Sequence, residues 1–149
     1  MKPALVIVDM QKYFLERGGT VNAEVIDVVV RRLREAKKRG EVVFSVTYDG
    51  AGENCEKVSD ELRGYFNVVR VRKGQDDGAG RIKLAMIKRG VKVTKFSLVG
   101  VNLGYCVLET CKGLRKLGYD ARIDKSATNT HGSERVEAKY YKKQRSKQL

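Results

Sequence analysis

A thiol becomes a nucleophile where backbone N–H groups and the positive end of a helix dipole favour its ionised form. Cys106 occupies such a place. The segment Leu98-Val99-Gly100-Val101-Asn102-Leu103-Gly104-Tyr105-Cys106-Val107 reads as an apolar strand, a tight turn and the first turn of a helix. Cys106 is therefore the expected nucleophile, ionising below the ordinary thiol value of about 8.5. Asp9 is a second candidate, because it directly follows the apolar run Ala4-Leu5-Val6-Ile7-Val8. An acid in that position is costly unless it has a partner. Lys73 is a third, at the end of Val68-Val69-Arg70-Val71-Arg72-Lys73, with Arg70, Arg72 and Lys83 as alternatives nearby.

The elements that must position these residues follow from hydrophobic patterning. Continuous apolar runs alternate with helical patterns, the signature of a parallel sheet covered on both faces. Strands are expected over 4–8, 42–47, 68–71, 96–101 and, shorter, 121–123. A long helix is expected from an N-cap at Asn22 to about Arg39, with Val25, Val29, Leu33 and Ala36 along one face. A helical turn near 59–63, a helix over 81–88 closed by Gly90 and another over 105–117 follow. A basic helix or frayed tail is expected from about residue 134. The fold class is therefore α/β: a three-layer, Rossmann-like sandwich with an open, mainly parallel sheet of about five or six strands and helices on both faces. Such sheets bind ligands beyond the carboxyl ends of their strands, where the strand order reverses. Asp9, Lys73 and Cys106 all lie just past expected strand ends.

The length of 149 residues fits one domain over 1–149. No apolar run approaches the ~20 residues of a membrane span, and the start lacks the pattern of a signal peptide. A cytoplasmic protein with no membrane partner is expected, its Cys55, Cys106 and Cys111 present as free thiols. Cys111 shares a helical face with Val107 and Leu114 and reads as core, and Cys55 lies in a polar loop. The single histidine, His131, excludes a histidine-rich metal site within one chain and reads as an exposed loop residue. Asp76 and Asp77 read as caps of the helix that follows them. The net charge of +13 is uneven: 14 basic and 11 acidic residues lie in 1–75, against 17 and 7 in 76–149. A solvated basic surface and tail explain this excess better than a nucleic-acid partner does, and nucleic-acid binding stands as the lesser alternative.

Two segments carry a family resemblance. Ala4-Leu5-Val6-Ile7-Val8-Asp9-Met10-Gln11 resembles the opening of the isochorismatase-like cysteine hydrolases, and Gly100-Val101-Asn102-Leu103-Gly104-Tyr105-Cys106-Val107 resembles their nucleophile segment. Val71-Arg72-Lys73 and the Gly-rich loop after it stand where that family has its catalytic lysine. The resemblance implies an Asp9–Lys73–Cys106 triad that hydrolyses a C–N bond of a small amide or carbamoyl compound through a covalent Cys106 intermediate. It implies that Asp9 moves the proton, Lys73 holds Asp9, and the backbone N–H groups of Asn102 and Cys106 form an oxyanion hole set up by a cis Val101–Asn102 peptide. Gln11 and Tyr105 are the candidate substrate contacts, although Gln11 could instead only satisfy backbone groups. Self-association is implied by the resemblance alone.

The chain departs from the family at the metal ligands, ahead of the cysteine, and after the lysine. In the last of these, Asp77-Gly78-Ala79 stands in place of a small residue followed by an aromatic. The family's metal-binding branch carries Asp-x-His after the second strand, where this chain has Asp49-Gly50-Ala51. No metal and no other cofactor is therefore expected. Leu103-Gly104 replaces the family's Thr-Asp ahead of the cysteine and removes a polar orienting group. A catalytically weak scaffold acting in binding or assembly is the alternative function.

Overall fold

The computed structural model of the chain describes residues 3–143. β1 (Ala4–Val8) is buried throughout, as an unbroken apolar run must be when helices cover both faces of a sheet. A single turn, α1 (Lys12–Leu15), precedes the long α2 (Gly19–Lys38). β2 (Val43–Tyr48), α3 (Glu56–Leu62), β3 (Val68–Lys73), α4 (Ala79–Arg89) and β4 (Lys95–Gly100) then alternate. A π-helical turn (Leu103–Val107) leads into α5 (Leu108–Lys116), and β5 (Asp120–Thr128) completes the sheet. The five strands are all parallel, in the order β3-β2-β1-β4-β5.

Alternation along β1 divides the interior into two cores. Leu5 and Ile7 face α2 and α3, packing with Val25, Val29, Leu33, Val58 and Leu62. Val6 and Val8 face the other way, with Ile82 and Met86 of α4 and Leu108, Cys111 and Leu114 of α5. From β1 the chain moves outward through β2 and β3, then returns to lay β4 on the other side of β1. The strand order therefore reverses between β1 and β4, which puts a crevice at their carboxyl ends.

Four elements differ from the sequence-based expectation, each for a physical reason. Asn22 is not the N-cap of α2, which starts at Gly19; its Nδ2 instead donates to the carbonyls of Phe14 (3.4 Å) and Leu15 (3.1 Å) and ties α1 to α2. β3 runs on to Lys73 because it is an edge strand, with Val69 and Val71 buried and Arg70 and Arg72 exposed. β5 is nine residues long, not three. Its polar middle, Asp124-Lys125-Ser126, coincides with a register shift against β4, and Asp124 pairs there with Arg32 at 2.7 Å. The expected basic helix or tail is two short 3₁₀ turns, Ser133–Arg135 and Ala138–Tyr140. The chain then lies along β5: Tyr141 bridges Ile123, and the Lys142 N–H donates to the Ile123 carbonyl at 2.8 Å. The rest of that tail, 144–149, lies outside the described residues. Among the described residues no helix is long and apolar enough to cross a membrane.

Candidate active site

Asp9 leaves β1 with a φ of 51°, a left-handed backbone that Asp adopts more readily than most residues. This turn carries its carboxylate into the crevice at 1% exposure. Lys73 reaches the same point from β3, two strands away. Its Nζ lies 4.3 Å from the centroid of the Tyr48 ring at the end of β2, and its stem lies beside Gly78, where a Cβ would come within 3.1 Å of Lys73 Cδ. The fully buried Nζ donates to Asp9 Oδ2 (3.1 Å), Cys106 Sγ (3.3 Å) and the Gln75 carbonyl (3.1 Å). One ammonium thus bridges a carboxylate and a thiol at the strand-order switch point.

Cys106 sits in the π-helical turn, which the end of β5 holds in place. Asn129 accepts from the Leu103 N–H at 3.0 Å and donates to Asn102 Oδ1 at 2.8 Å, and the Gly104 N–H donates to the His131 carbonyl at 2.9 Å. The Val101–Asn102 peptide is cis. Gly104 is where the chain departs from the family's Asp, and any side chain there would run into the Gly132 carbonyl. The polar side chain that holds this turn is that of Asn129, a residue that sequence reasoning passed over.

The electrostatics run against one expectation. Burial, then the Asp9 carboxylate, pushes the Cys106 thiol well above its ordinary value, and Lys73 opposes this shift. This direction is opposite to the one expected from its place at the start of a helix. Burial also raises Asp9, against the pull of Lys73. Asp9 Oδ1 is buried without a hydrogen-bond partner among the described residues. The carboxylate and the thiol, both shifted upward by burial, thus lie side by side.

Asp77 lies just before Gly78, the N-cap of α4, and its Oδ1 accepts from the Ala79 N–H at 2.8 Å. Asp76 is placed differently: the Cys106 thiol points to its Oδ1 at 3.6 Å. Two acids ahead of a helix both read as caps, which is how this one was missed. Gln11 is fully buried and is not among the residues that line the cleft. Its amide donates to the carbonyls of Tyr48 (3.0 Å) and Gly52 (2.6 Å) and accepts from the Tyr48 N–H (2.8 Å), building the wall from behind. Tyr105 does face the cleft, a space of about 540 Å³ with Cys106 at its floor and Tyr13, Phe14, Tyr48, Asp76 and His131 around it. His131 is exposed, but it belongs to this rim, its ring 5.1 Å from that of Tyr105. An adjoining lobe of about 560 Å³ extends past His131 toward Arg17.

A metal ion of the kind held by the family's metal-binding branch does not fit the residues present. Ala51 offers no donor where that branch has histidine, and Asp49 is paired with Arg72 at 3.0 Å. Among the described residues no group of three or more His, Cys, Asp or Glu is arranged to hold a metal.

Residues 3–144 match the family model described as Isochorismatase domain. A search of curated proteins found no match. Solved structures with the same fold include a nicotinamidase of Staphylococcus aureus (19% identity, 89% of this chain and 86% of that one, TM-score 0.73). An N-carbamoylsarcosine amidase of Thermoplasma acidophilum is as similar (18% identity, 87% and 84%, TM-score 0.73). A ribonuclease of Caenorhabditis elegans also matches, with 20% identity, 86% of this chain but 65% of that one, and a TM-score of 0.73.

Proposed function

The chain belongs to the isochorismatase domain family, and from that premise and the buried Asp9–Lys73–Cys106 contact we propose that it is a metal-independent cysteine hydrolase of a small amide or carbamoyl compound. The single observation that carries this reading is the position of Lys73 Nζ, 3.1 Å from Asp9 Oδ2 and 3.3 Å from Cys106 Sγ with no exposure to water. A fully buried lysine is rare unless it is paired, and here its partners are the base and the nucleophile of an acyl transfer.

In this reading Cys106 Sγ attacks the carbonyl carbon while its proton passes to Asp9, so no resting thiolate is required. The N–H groups of Asn102 and Cys106 receive the developing oxyanion. Asp9 returns the proton to the departing nitrogen as the C–N bond breaks, leaving a thioester on Cys106. Water then adds to the thioester and gives a proton to Asp9. The C–S bond breaks and the sulfur recovers its proton from Asp9. Lys73 stays charged throughout, stabilising Asp9 and the sulfur whenever either is negative.

The competing reading, an inert scaffold that binds nucleic acid through its basic half, gains nothing from the site, where all three groups are in contact. The test uses p-nitrophenyl acetate as an acyl donor. The expected result is a stoichiometric burst of p-nitrophenol and an acetyl group on Cys106 by mass spectrometry. Both should be lost in Cys106→Ala and Asp9→Asn, and a panel of small amides should compete. A folded wild-type protein with no burst and an unmodified Cys106 overturns the proposal.

A further inference from the structure

We propose that Asp76 makes this site selective for charge: the substrate is an amide with a positively charged group within two bonds of the scissile carbonyl. This deepens the hydrolase reading and rests on it. Three carboxylates border the cleft and its floor. Asp9 is matched by Lys73 at 3.1 Å and Asp49 by Arg72 at 3.0 Å. Among the described residues Asp76 forms no ion pair, and the hydrogen bond its side chain accepts there comes from the Cys106 sulfur, at 3.6 Å.

The other nearby cations are already engaged. Lys73 Nζ lies behind the sulfur with no exposure to the cleft and donates to Asp9, Cys106 and Gln75. Arg135 sits 4.7 Å from the Tyr105 ring and 4.0 Å from Glu109. Arg17 is in the adjoining lobe, bonded to the Tyr13 hydroxyl at 3.1 Å. The reacting carbon must therefore meet the sulfur beside one uncompensated negative charge, under a rim of aromatic rings that also suits cations.

A charge on the substrate one or two bonds from the carbonyl would sit roughly 5 Å from Asp76. At that distance Coulomb's law gives about fourfold discrimination in a water-like medium and more than a hundredfold at an effective dielectric constant near 20. Asp76 is exposed, so about tenfold in each direction is expected at low salt, falling as salt rises. An amide carrying a carboxylate next to the carbonyl is disfavoured by the same factor.

Alkylation of Cys106 tests this without needing turnover. Bromoethylamine (cationic), iodoacetamide (neutral) and iodoacetate (anionic) are compared on the full chain. The Cys106 peptide is quantified by mass spectrometry, and each rate is divided by that of a small free thiol. The wild type is expected to prefer bromoethylamine over iodoacetate, with a preference that shrinks as salt is added. In Asp76→Asn the ratio should fall tenfold or more, and in Asp76→Lys it should invert. An unchanged ratio in both variants, or a wild type that prefers iodoacetate, overturns the proposal. Charge preference without an acetyl intermediate would refute the hydrolase reading alone, and an acetyl intermediate without charge preference would refute this inference alone.

Discussion

Replacing Lys73 by Met keeps the length of the side chain and removes its charge. In the native protein Nζ and Asp9 Oδ2 are 3.1 Å apart, with the two side chains 0% and 1% exposed. At an effective dielectric constant of about 20 this is an attraction of roughly 5 kcal/mol, largely offset by the cost of taking both charges out of water. Deleting one partner leaves the other buried and unpaired, a loss of about 3–5 kcal/mol. A chain of this size has a melting entropy of about 0.3 kcal/mol/K, so Lys73→Met should lower Tm by about 10–15 °C at pH 7. The pH dependence has a definite sign. Burial already raises Asp9, and Lys73 is the chief influence holding it down. Without Lys73 its native pKa lies higher still. An acid with a raised native pKa contributes stability below its unfolded pKa of about 3.9, and the contribution is lost as the pH climbs through the native value. The deficit of the variant should therefore be smallest in acid and widen toward neutrality. The double variant Asp9→Asn/Lys73→Met, with no buried charge, should recover at least half of it. Calorimetry of the three proteins between about pH 4 and 8 provides the measurement. A deficit below about 1 kcal/mol at pH 7, one that does not vary with pH, or a double variant as unstable as the single would refute the reasoning.

Two further outcomes follow from the site. Because burial and Asp9 hold the Cys106 thiol up, its alkylation by iodoacetamide should keep rising above about pH 9. Asp9→Asn should move that rise to lower pH; an unshifted profile would mean that the carboxylate does not act on the sulfur. Asn129 holds the turn that carries the proposed oxyanion donors, so Asn129→Ala should slow the acetylation burst about tenfold or more while leaving its saturation by ester little changed. Asn129→Asp should recover most of the rate, because the Asn102 amide can turn to donate to it.

How far the sequence anticipated this molecule depended on whether the information was local. β1 is unbroken and apolar, and its expected limits match the structure. β3 runs two residues past its expected end because an edge strand alternates: Arg72, like Arg70 before it, interrupts the apolar run but not the strand. Asp9, Lys73 and Cys106 were picked out as residues at strand ends, yet only the order β3-β2-β1-β4-β5 brings a lysine from β3 over β2 to meet the other two. Asp76 and His131 could not be read from local pattern, since one resembles a helix cap and the other a loop residue until the tertiary fold turns both toward the cleft. The upward shift of the Cys106 thiol was hidden from the sequence for a related reason. A helix start is visible in sequence, but the buried carboxylate that opposes it comes from a strand 97 residues earlier.

The contact of Gly104 with Gly132 limits how this cleft can diversify. A Cβ at 104 would strike the Gly132 carbonyl, and one at 132, where φ is 74°, would come within 2.8 Å of the Tyr105 ring. Neither position can take a side chain unless the facing segment moves, so the two act as a single steric unit. The neighbouring tip, Thr130 and His131, carries no such constraint and borders the cleft and its adjoining lobe. New ligand preferences in descendants of this chain, or in libraries made from it, should therefore arise by exchange at 130 and 131 over an unchanging glycine hinge pin.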